Sequence, residues 1–236
     1  MRKKIRHSVV LGLLSLSFHH AKLTTERAPD KGNVVVSKSN SIDEAYTAFG
    51  LHELGISIRA FEQAWNAYHK ALERNWVINS KYLTIIDFSL PSSAKRWVTL
   101  DVESKEVLVH SLVAHGKNSG KEIANRFSNQ PNSRQSSLGL FITEEPYFGA
   151  HGKSLRLKGV EKGINDMAYK RAIVVHGAKY VSESWISTQG YLGRSHGCPA
   201  LPEELNNWIV DYIQGGSCLY IYAPNTAYQQ KSRFVK

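Results

Sequence analysis

The sequence contains few of the patterns that build metal centres or membrane spans. Its 236 residues include two cysteines, and neither a Cys-x-x-Cys pair nor a His-Glu-x-x-His segment occurs. These are spacings typical of zinc sites, and His115 and His151, each followed by Gly-Lys, do not have them. The apolar stretch from Val9 to Leu16 is too short to cross a bilayer, and no other segment could do so. The sequence therefore argues against metal catalysis and predicts neither a cofactor nor a lasting membrane anchor.

Acidic residues are outnumbered by basic ones. The chain has 20 Asp and Glu against 30 Lys and Arg, a formal net charge of +10. Four of the positive charges, on Arg2, Lys3, Lys4 and Arg6, precede the apolar stretch, and removing these four leaves +6. No basic helix or stripe stands out, so nucleic-acid binding is not expected. Contents of 42% hydrophobic and 21% charged residues are typical of a globular domain.

The N-terminus has the pattern of an export signal. Basic residues precede the apolar stretch, and Ser15 and Ser17 are spaced for cleavage after Ser17, with cleavage after Ala21 as the alternative. No cysteine follows this stretch, so a lipid anchor is not expected. We therefore predict a signal peptide over residues 1–21, a flexible tether over 22–40 and a periplasmic location.

A helical segment is predicted over residues 41–80. Ser41 and Glu44 have the spacing of a capping box, which marks a helix start. After Gly55, apolar side chains recur at spacings of three and four. The positions are Ile58, Phe61, Trp65, Tyr68 and Leu72. We interpret this stripe as a packing surface that holds the segment against the domain that follows.

From Tyr82 onward the apolar period changes to two, which is typical of half-buried strands. Further strand candidates are 138–143, 154–158, 172–176 and 217–223. A helix with Pro202 in its first turn and Gly215 at its end precedes the last strand. The predicted fold class is mainly β with flanking helices, a largely antiparallel sandwich or barrel over residues 81–224. Residues 225–236 are predicted to form a C-terminal tail.

A histidine and a cysteine form the candidate catalytic pair. The apolar run Ile173–Val175 fits a buried strand and delivers His176 onto Gly177, and the chain returns in a polar loop that ends on Cys198. In such a pair the thiolate attacks, and the imidazole takes the proton and later returns it. Cys218 lies in a strand-like run and is interpreted as a small buried hydrophobe, so a disulfide between the two cysteines is not expected.

The residues around this pair resemble a known family. His176-Gly177, followed at a distance by Ser195-His196-Gly197-Cys198, is similar to the signature of the murein L,D-transpeptidase (YkuD-type) catalytic domain. The continuation GRSHGCPAL resembles the YkuD-2 branch of that superfamily, and the likeness extends over residues 49–222. The resemblance implies an L,D-transpeptidase-like β fold and peptidoglycan stem peptides as partners.

The resemblance also implies roles for individual residues. Cys198 would be the nucleophile and His176 the general base, its second nitrogen oriented by the carbonyl of Gly177 rather than by a carboxylate. The amides of Gly197 and Cys198 would form the oxyanion hole.

Ser195 and His196 would shape the loop and the acyl pocket, and direct proton transfer by His196 is the alternative. The resemblance places further residues in the substrate groove, although ordinary turn chemistry would explain them equally well. These residues are Ser136, Ser137, Gly139, Tyr147 and Gly152.

The chain departs from the family at Pro199-Ala200, where many relatives carry an apolar residue and then an arginine. In relatives that arginine helps to hold the site or the substrate, so another residue has to take its place. Arg194, Arg156 and Arg171 are the candidates.

Three functions remain open on these residues. An acyl-enzyme at Cys198 is common to an L,D-transpeptidase, which forms 3–3 cross-links or a related attachment, and to an L,D-carboxypeptidase or endopeptidase, which hydrolyses the same bond. A non-catalytic peptidoglycan-binding module is the third, supported by the Pro199-Ala200 departure. A catalytic thiol is expected to have a pKa below the free value of about 8.5, which a binding module does not need. The protein is expected to be a monomer.

Overall fold

Two helices precede a region of strands in the described chain, as the sequence patterns predict. The computed structural model describes residues 38–235. Its helices are α1 (Lys38–Ala48), α2 (Ile58–Glu73), α3 (Glu183–Gln189), α4 (Glu203–Ile213) and α5 (Thr226–Lys231). Its strands are β1 (Tyr82–Asp87), β2 (Trp97–Asp101), β3 (Glu106–Ser111), β4 (Gly139–Gly149), β5 (Gly152–Gly159), β6 (Val174–Gly177), β7 (Ala200–Leu201) and β8 (Cys218–Tyr222). The predicted signal peptide and most of the predicted tether lie outside these residues. Within them, no helix has the length and apolar character of a membrane span.

The eight strands of the described chain form one sheet, in the order β3-β2-β1-β8-β4-β5-β6-β7. The pairs β1–β8 and β6–β7 are parallel and the other neighbouring pairs are antiparallel. Beyond β3, Ala114 bridges Ala200 of β7, so the two edges of the sheet approach each other and the sheet is nearly closed. The predicted fold class, mainly β with flanking helices, is confirmed.

Helix α2 packs its aromatic stripe against the sheet and against α1. Its Phe61 and Tyr68 are buried, and the rings of Tyr46 and Phe49 lie 5.8 and 6.1 Å from that of Phe61. Strands β1 and β8, which α2 contacts, are buried along almost their whole length, as expected for strands covered on both faces. The stripe contacts the sheet and α1 through its buried members, whereas Ile58 at the start of the helix is exposed.

One helix prediction needs correction and one helix was not predicted. Helix α1 is already helical at Lys38, the first described residue, so the spacing of a capping box at Ser41 does not mark a helix start. Helix α3 was not predicted. Ser182 caps it by accepting a hydrogen bond from the amide of Trp185, and Gly190 ends it with a φ of +77°. Because α3 is short and has no buried residue, no apolar stripe predicts it.

The segment predicted as a C-terminal tail, 225–236, belongs to the folded domain in its described part. It contains α5, and its side chains Tyr228 and Phe234 are buried. The hydroxyls of Tyr228 and Ser232 donate hydrogen bonds of 3.0 and 2.5 Å to the buried carboxylate of Glu161. Isolated buried residues in a polar segment do not form a periodic apolar pattern, so the sequence did not predict this packing.

Candidate active site

The candidate site is built on β6, which lies between β5 and β7. In the sheet register His176 is paired with Ser154 on one side and with Ala200 on the other. Side chains alternate between the two faces of a strand. Residues paired on neighbouring strands therefore lie on the same face, as do residues i and i+2 of one strand. Cys198 lies two residues before β7, in the bend that leads into that strand. Its Sγ contacts the carbonyl of Ala172 and the amide of Val174, so the thiol lies against the start of the strand that carries His176.

His176 has one nitrogen fixed and one available. Its Nδ1 lies 2.9 Å from the carbonyl oxygen of Gly177, the contact that the family resemblance implies. A carbonyl only accepts hydrogen bonds, so Nδ1 carries the proton and Nε2 is the basic atom. Within the described residues Nε2 has no hydrogen-bond partner. Burial lowers the pKa of His176 below its ordinary value, and His151, whose ring stacks on it at 4.5 Å, lowers the pKa further. The imidazole is therefore a neutral base near pH 7.

Cys198 is a half-buried thiol at the start of β6. Its Sγ lies 3.6 Å from the carbonyl oxygen of Ala172 and is approached by the amide of Val174. Burial raises the pKa of the thiol above its ordinary value, although the Val174 amide and the charge of Arg171 act in the opposite direction. The expected low pKa is therefore not found, because loss of hydration outweighs the nearby charge. A neutral thiol beside a neutral imidazole must lose its proton as it attacks.

The loop before Cys198 is tied to itself by Ser195. The Ser195 hydroxyl accepts a hydrogen bond from the amide of Gly197 at 3.0 Å and donates one to the carbonyl of Cys198 at 2.6 Å. The Gly197 amide is thus already used, contrary to the expectation that it helps to form the oxyanion hole. Gly197 has a φ of +127°, which only glycine adopts readily. Ser195 shapes the loop, and His196 is exposed at its surface.

A neighbouring segment, 114–117, supports this loop. The amide of Ser195 donates to the carbonyl of His115 at 3.0 Å, and the amide of Lys117 donates to the carbonyl of Ser195 at 2.8 Å. Ser136 links this segment to the cysteine loop. Its hydroxyl accepts a hydrogen bond of 3.0 Å from the amide of Gly116 and donates one of 3.1 Å to the carbonyl of Gly197.

Gly116 is required at this contact. A Cβ there would lie 2.9 Å from the Cα of Gly197 and 2.7 Å from the carbonyl oxygen of Arg134. The sequence analysis considered His115-Gly116-Lys117 for a metal site and argued against that role. Among the described residues no three His, Cys, Asp or Glu side chains converge on a metal position.

Arg171 lies against the cysteine loop. Its Nη1 donates to the carbonyl of Ser128 and the hydroxyl of Ser137 at 2.7 and 2.5 Å. Its Nη2 donates to the hydroxyl of Ser133 and the carbonyl of Gln135 at 3.2 and 2.5 Å. Four neutral partners hold the guanidinium, and none of them is a carboxylate. The positive charge is therefore fixed beside Cys198 without a counter-ion among the described residues.

The other predicted substrate residues fall into two groups. Arg156 is paired with Val174, on the face of the site, and its guanidinium stacks between the rings of Tyr147 and Tyr169 at 4.4 and 5.5 Å. Gly152 is exposed at the β4–β5 turn, with a φ of +71°.

Ser137 and Arg194 have structural contacts instead. Ser137 is buried between Arg171 and the carbonyl of Ser128, to which it donates at 2.8 Å. Arg194 donates at 3.2 Å to the carbonyl of Gly120, an oxygen that also faces the ring of His115.

The sequence analysis missed Tyr180. It follows His176 by four residues, and burial together with the charge of Cys198 raises its pKa to about 12. The phenol is therefore a neutral hydroxyl close to the nucleophile. No local pattern singles it out, because a tyrosine after a strand is common.

Comparisons with known proteins all concern one group of enzymes. A family model described as the L,D-transpeptidase catalytic domain matches residues 52–222. No curated protein sequence matches the chain. An L,D-transpeptidase structure from Mycobacterium smegmatis is 18% identical with a TM-score of 0.37, over 61% of this chain and 59% of that chain. This chain thus spans about three fifths of that relative.

Two further structures are similar at the same level. An L,D-transpeptidase from Xylanimonas cellulosilytica, residues 123–326, is 18% identical with a TM-score of 0.36, over 65% of this chain and 68% of that chain. L,D-transpeptidase 1 of Mycobacterium tuberculosis is 14% identical with a TM-score of 0.30, over 54% and 55%.

Proposed function

Since the chain belongs to the L,D-transpeptidase catalytic domain family, we propose that it is an exported cysteine acyltransferase acting on peptidoglycan stem peptides. Export is inferred from the signal-like N-terminus, and the periplasm is the compartment proposed. The observation that carries the reaction is that Sγ of Cys198 lies against Ala172 and Val174, at the start of the strand that carries His176, whose basic nitrogen is unpaired among the described residues.

The first half of the reaction makes a thioester. Sγ of Cys198 attacks the carbonyl of the diamino acid at the third position of the donor stem, and its proton passes to Nε2 of His176. The tetrahedral intermediate collapses, the bond to the terminal D-alanine breaks, and His176 returns the proton to the departing amine. The amide of Cys198 and the phenol of Tyr180 are the groups proposed to stabilise the oxyanion, because the Gly197 amide is already bonded to Ser195.

The second half resolves the thioester. An amine of a neighbouring stem attacks the thioester carbonyl and gives its proton to His176, which passes it to the departing sulfur of Cys198. The product is a 3–3 cross-link or a related attachment. If water attacks instead, the same intermediate gives hydrolysis.

The Pro199-Ala200 departure does not require a loss of activity. Ala200 is fully buried where it is paired with His176 and bridged to Ala114, so a larger side chain has no room there. The arginine that relatives carry at this position is excluded by packing, and Arg171 brings a charge to the loop from another direction. The departure is therefore not by itself an argument for a non-catalytic binding module.

Intact mass spectrometry after mixing with a carbapenem, a reactive mimic of the donor carbonyl, tests the proposal. We expect one covalent adduct on the wild type and on the Cys218→Ala control, and none on Cys198→Ala. The acylation rate of Cys198→Ala should fall by about 10³-fold or more. An adduct that survives in Cys198→Ala would contradict the assignment, and a wild type without any adduct would favour the binding module.

Incubation with tetrapeptide muropeptides then separates the two resolving steps. Dimers with a 3–3 bridge indicate transfer, and release of tripeptide without dimers indicates an L,D-carboxypeptidase. Cleavage of preformed 3–3 dimers indicates an endopeptidase.

A further inference from the structure

A polar cavity beside the cysteine loop has no part in the mechanism above. Its volume is about 580 Å³, and it is lined by Asn118, Asn132, Arg134, Arg171 and His196. We call it the arginine pocket. None of its lining residues is acidic, and the three salt bridges found in the described residues involve neither of its arginines. The pocket therefore has a net positive charge that the protein does not neutralise.

The two arginines are held in different ways. Arg171 is half-buried, and its Nη1 and Nη2 are committed to four fixed partners, so it contributes a stationary charge with little freedom to move. Arg134 is exposed, and within the described residues its guanidinium has no hydrogen-bond partner. Its five N–H groups are thus available to an incoming ligand.

The backbone holds Arg134 in place although its guanidinium has no partner. Asn132 and Arg134 have φ values of +59° and +54°, a region that side-chain-bearing residues rarely adopt. The backbone amide of Asn118 donates a hydrogen bond of 3.0 Å to the carbonyl of Arg134. The side-chain amide of Asn118 donates one of 2.9 Å to the carbonyl of Ser133. Contacts inside the pocket therefore keep this loop in a conformation that presents Arg134.

The pocket adjoins the reacting atoms. Nη2 of Arg171 would lie 3.3 Å from a Cβ placed on Gly197, the residue directly before Cys198. His196, on the other side of Gly197, lines the pocket itself. Because one residue of an extended chain spans about 3.5 Å, a group one residue from a carbonyl attacked by Cys198 can reach this pocket.

We propose that the arginine pocket is a carboxylate subsite for the acyl donor. Arg134 supplies the two-pronged hydrogen bonds that suit a carboxylate, and Arg171 supplies the fixed charge behind them. The inference rests on the proposed function for the identity of the donor. Two carboxylates of the stem are candidates. That of the terminal D-alanine is one residue from the scissile carbonyl, and that of the diaminopimelate side chain is further away, at the end of a flexible alkyl chain.

Binding to the full-length Cys198→Ala protein tests the subsite without turnover. The probes are a stem tetrapeptide ending in diaminopimelate and D-alanine, and two forms of it with one or the other carboxylate converted to an amide. On the Cys198→Ala background, Arg134→Gln is compared with Arg233→Gln, which removes an exposed arginine from the C-terminal segment. Calorimetric titration measures each dissociation constant.

We expect Arg134→Gln to weaken binding of the tetrapeptide about tenfold to hundredfold, the range for hydrogen bonds to a charged group. Arg233→Gln should leave binding unchanged. One amide form lacks the peptide carboxylate that binds in the pocket. It should bind weakly to Cys198→Ala, and its affinity should not change with Arg134→Gln. The other amide form should retain the full effect, which identifies the source.

Three results would overturn the subsite. The first is tetrapeptide binding too weak to detect, and the second is equal affinity for the tetrapeptide with and without Arg134→Gln. The third is an equal loss of affinity for all three peptides on Arg134→Gln, which would indicate a displaced loop. Alkylation of the Cys198 protein by neutral iodoacetamide should proceed at the same rate with Arg134→Gln, since no carboxylate is involved. Failure of the proposed function would appear separately, as carboxylate-dependent binding in a protein that forms no adduct at Cys198.

Discussion

Two buried histidines of this protein have the same sequence context and different surroundings. His115 and His176 each follow an apolar run, and each is directly followed by a glycine. Nothing in the two short motifs separates a structural histidine from a general base. The hydrogen bonds around each ring make the distinction.

His115 has a partner on both nitrogens. Nη2 of Arg96 donates to its Nδ1 at 2.7 Å, so its proton is on Nε2, which faces the carbonyl of Gly120 at 3.3 Å. Arg96 is fully buried and also donates to the carbonyls of Val113 and Leu90. Burial and the adjacent guanidinium lower the pKa of His115 to about 3. This ring has no free atom with which to move a proton, and it supports the segment behind the cysteine loop.

His176 is fixed through Nδ1 only, and its Nε2 is unpaired among the described residues. The comparison shows that a buried histidine suited to proton transfer is one whose hydrogen bonds are incomplete. A fully bonded ring contributes stability instead.

Replacing His176 should give the largest effect. His176→Gln is expected to slow acylation of Cys198 by about 10²–10⁴-fold, because the thiol loses its general base. The melting temperature should change little, since the ring makes one internal hydrogen bond. Single-turnover acylation by a carbapenem measures the effect, with His52→Gln on the exposed surface as the control. A rate within threefold of wild type would exclude His176 as the base.

Replacing His115 should have the opposite profile. His115→Ala leaves Nη2 of buried Arg96 without one of its partners, so the free energy of unfolding should fall by about 1–3 kcal/mol. Acylation per folded molecule should stay within a few-fold of wild type. Urea denaturation and the carbapenem assay measure the two quantities on the same preparation. A large loss of acylation with unchanged stability would reverse the roles assigned to the two rings.

The pH dependence of stability should show the smallest difference. The pKa of His115 falls from an ordinary value of 6.5 to about 3 on folding. Between these values the unfolded chain binds the proton and the folded chain does not, so stability from this group is complete above pH 6.5 and declines toward pH 3. The stability advantage of wild type over His115→Gln should therefore shrink as the pH is lowered from 7 to 4. Denaturation at several pH values tests this, and an advantage that grows on acidification would contradict it.

Local patterns were sufficient for most of the strands and for proposing the reactive pair. Alternating or continuous apolar runs predicted every strand except the two-residue β7, since a longer strand depends mainly on neighbouring residues. Cys198 and His176 were selected because glycine-bearing turns follow or precede them at the ends of buried segments. Their roles as nucleophile and base stay predictions until the adduct and acylation experiments are done.

The contacts around the pair were out of reach of local patterns. Arg171 could not be chosen over Arg194, because the hydrogen bonds that hold it come from residues 34 to 43 positions earlier in the chain. The burial that raises the pKa of Cys198 could not be predicted for the same reason, since it depends on segments that are distant in sequence.

The sequence by itself determined most of the strand segments and the family, and it singled out the two side chains proposed to react, because each depends on short patterns. The tertiary structure alone decided which histidine keeps a free nitrogen, that the Gly197 amide is bonded to Ser195 and which arginine lies beside Cys198. Those properties follow from burial and from hydrogen bonds between remote segments, and such contacts form only when the sheet closes.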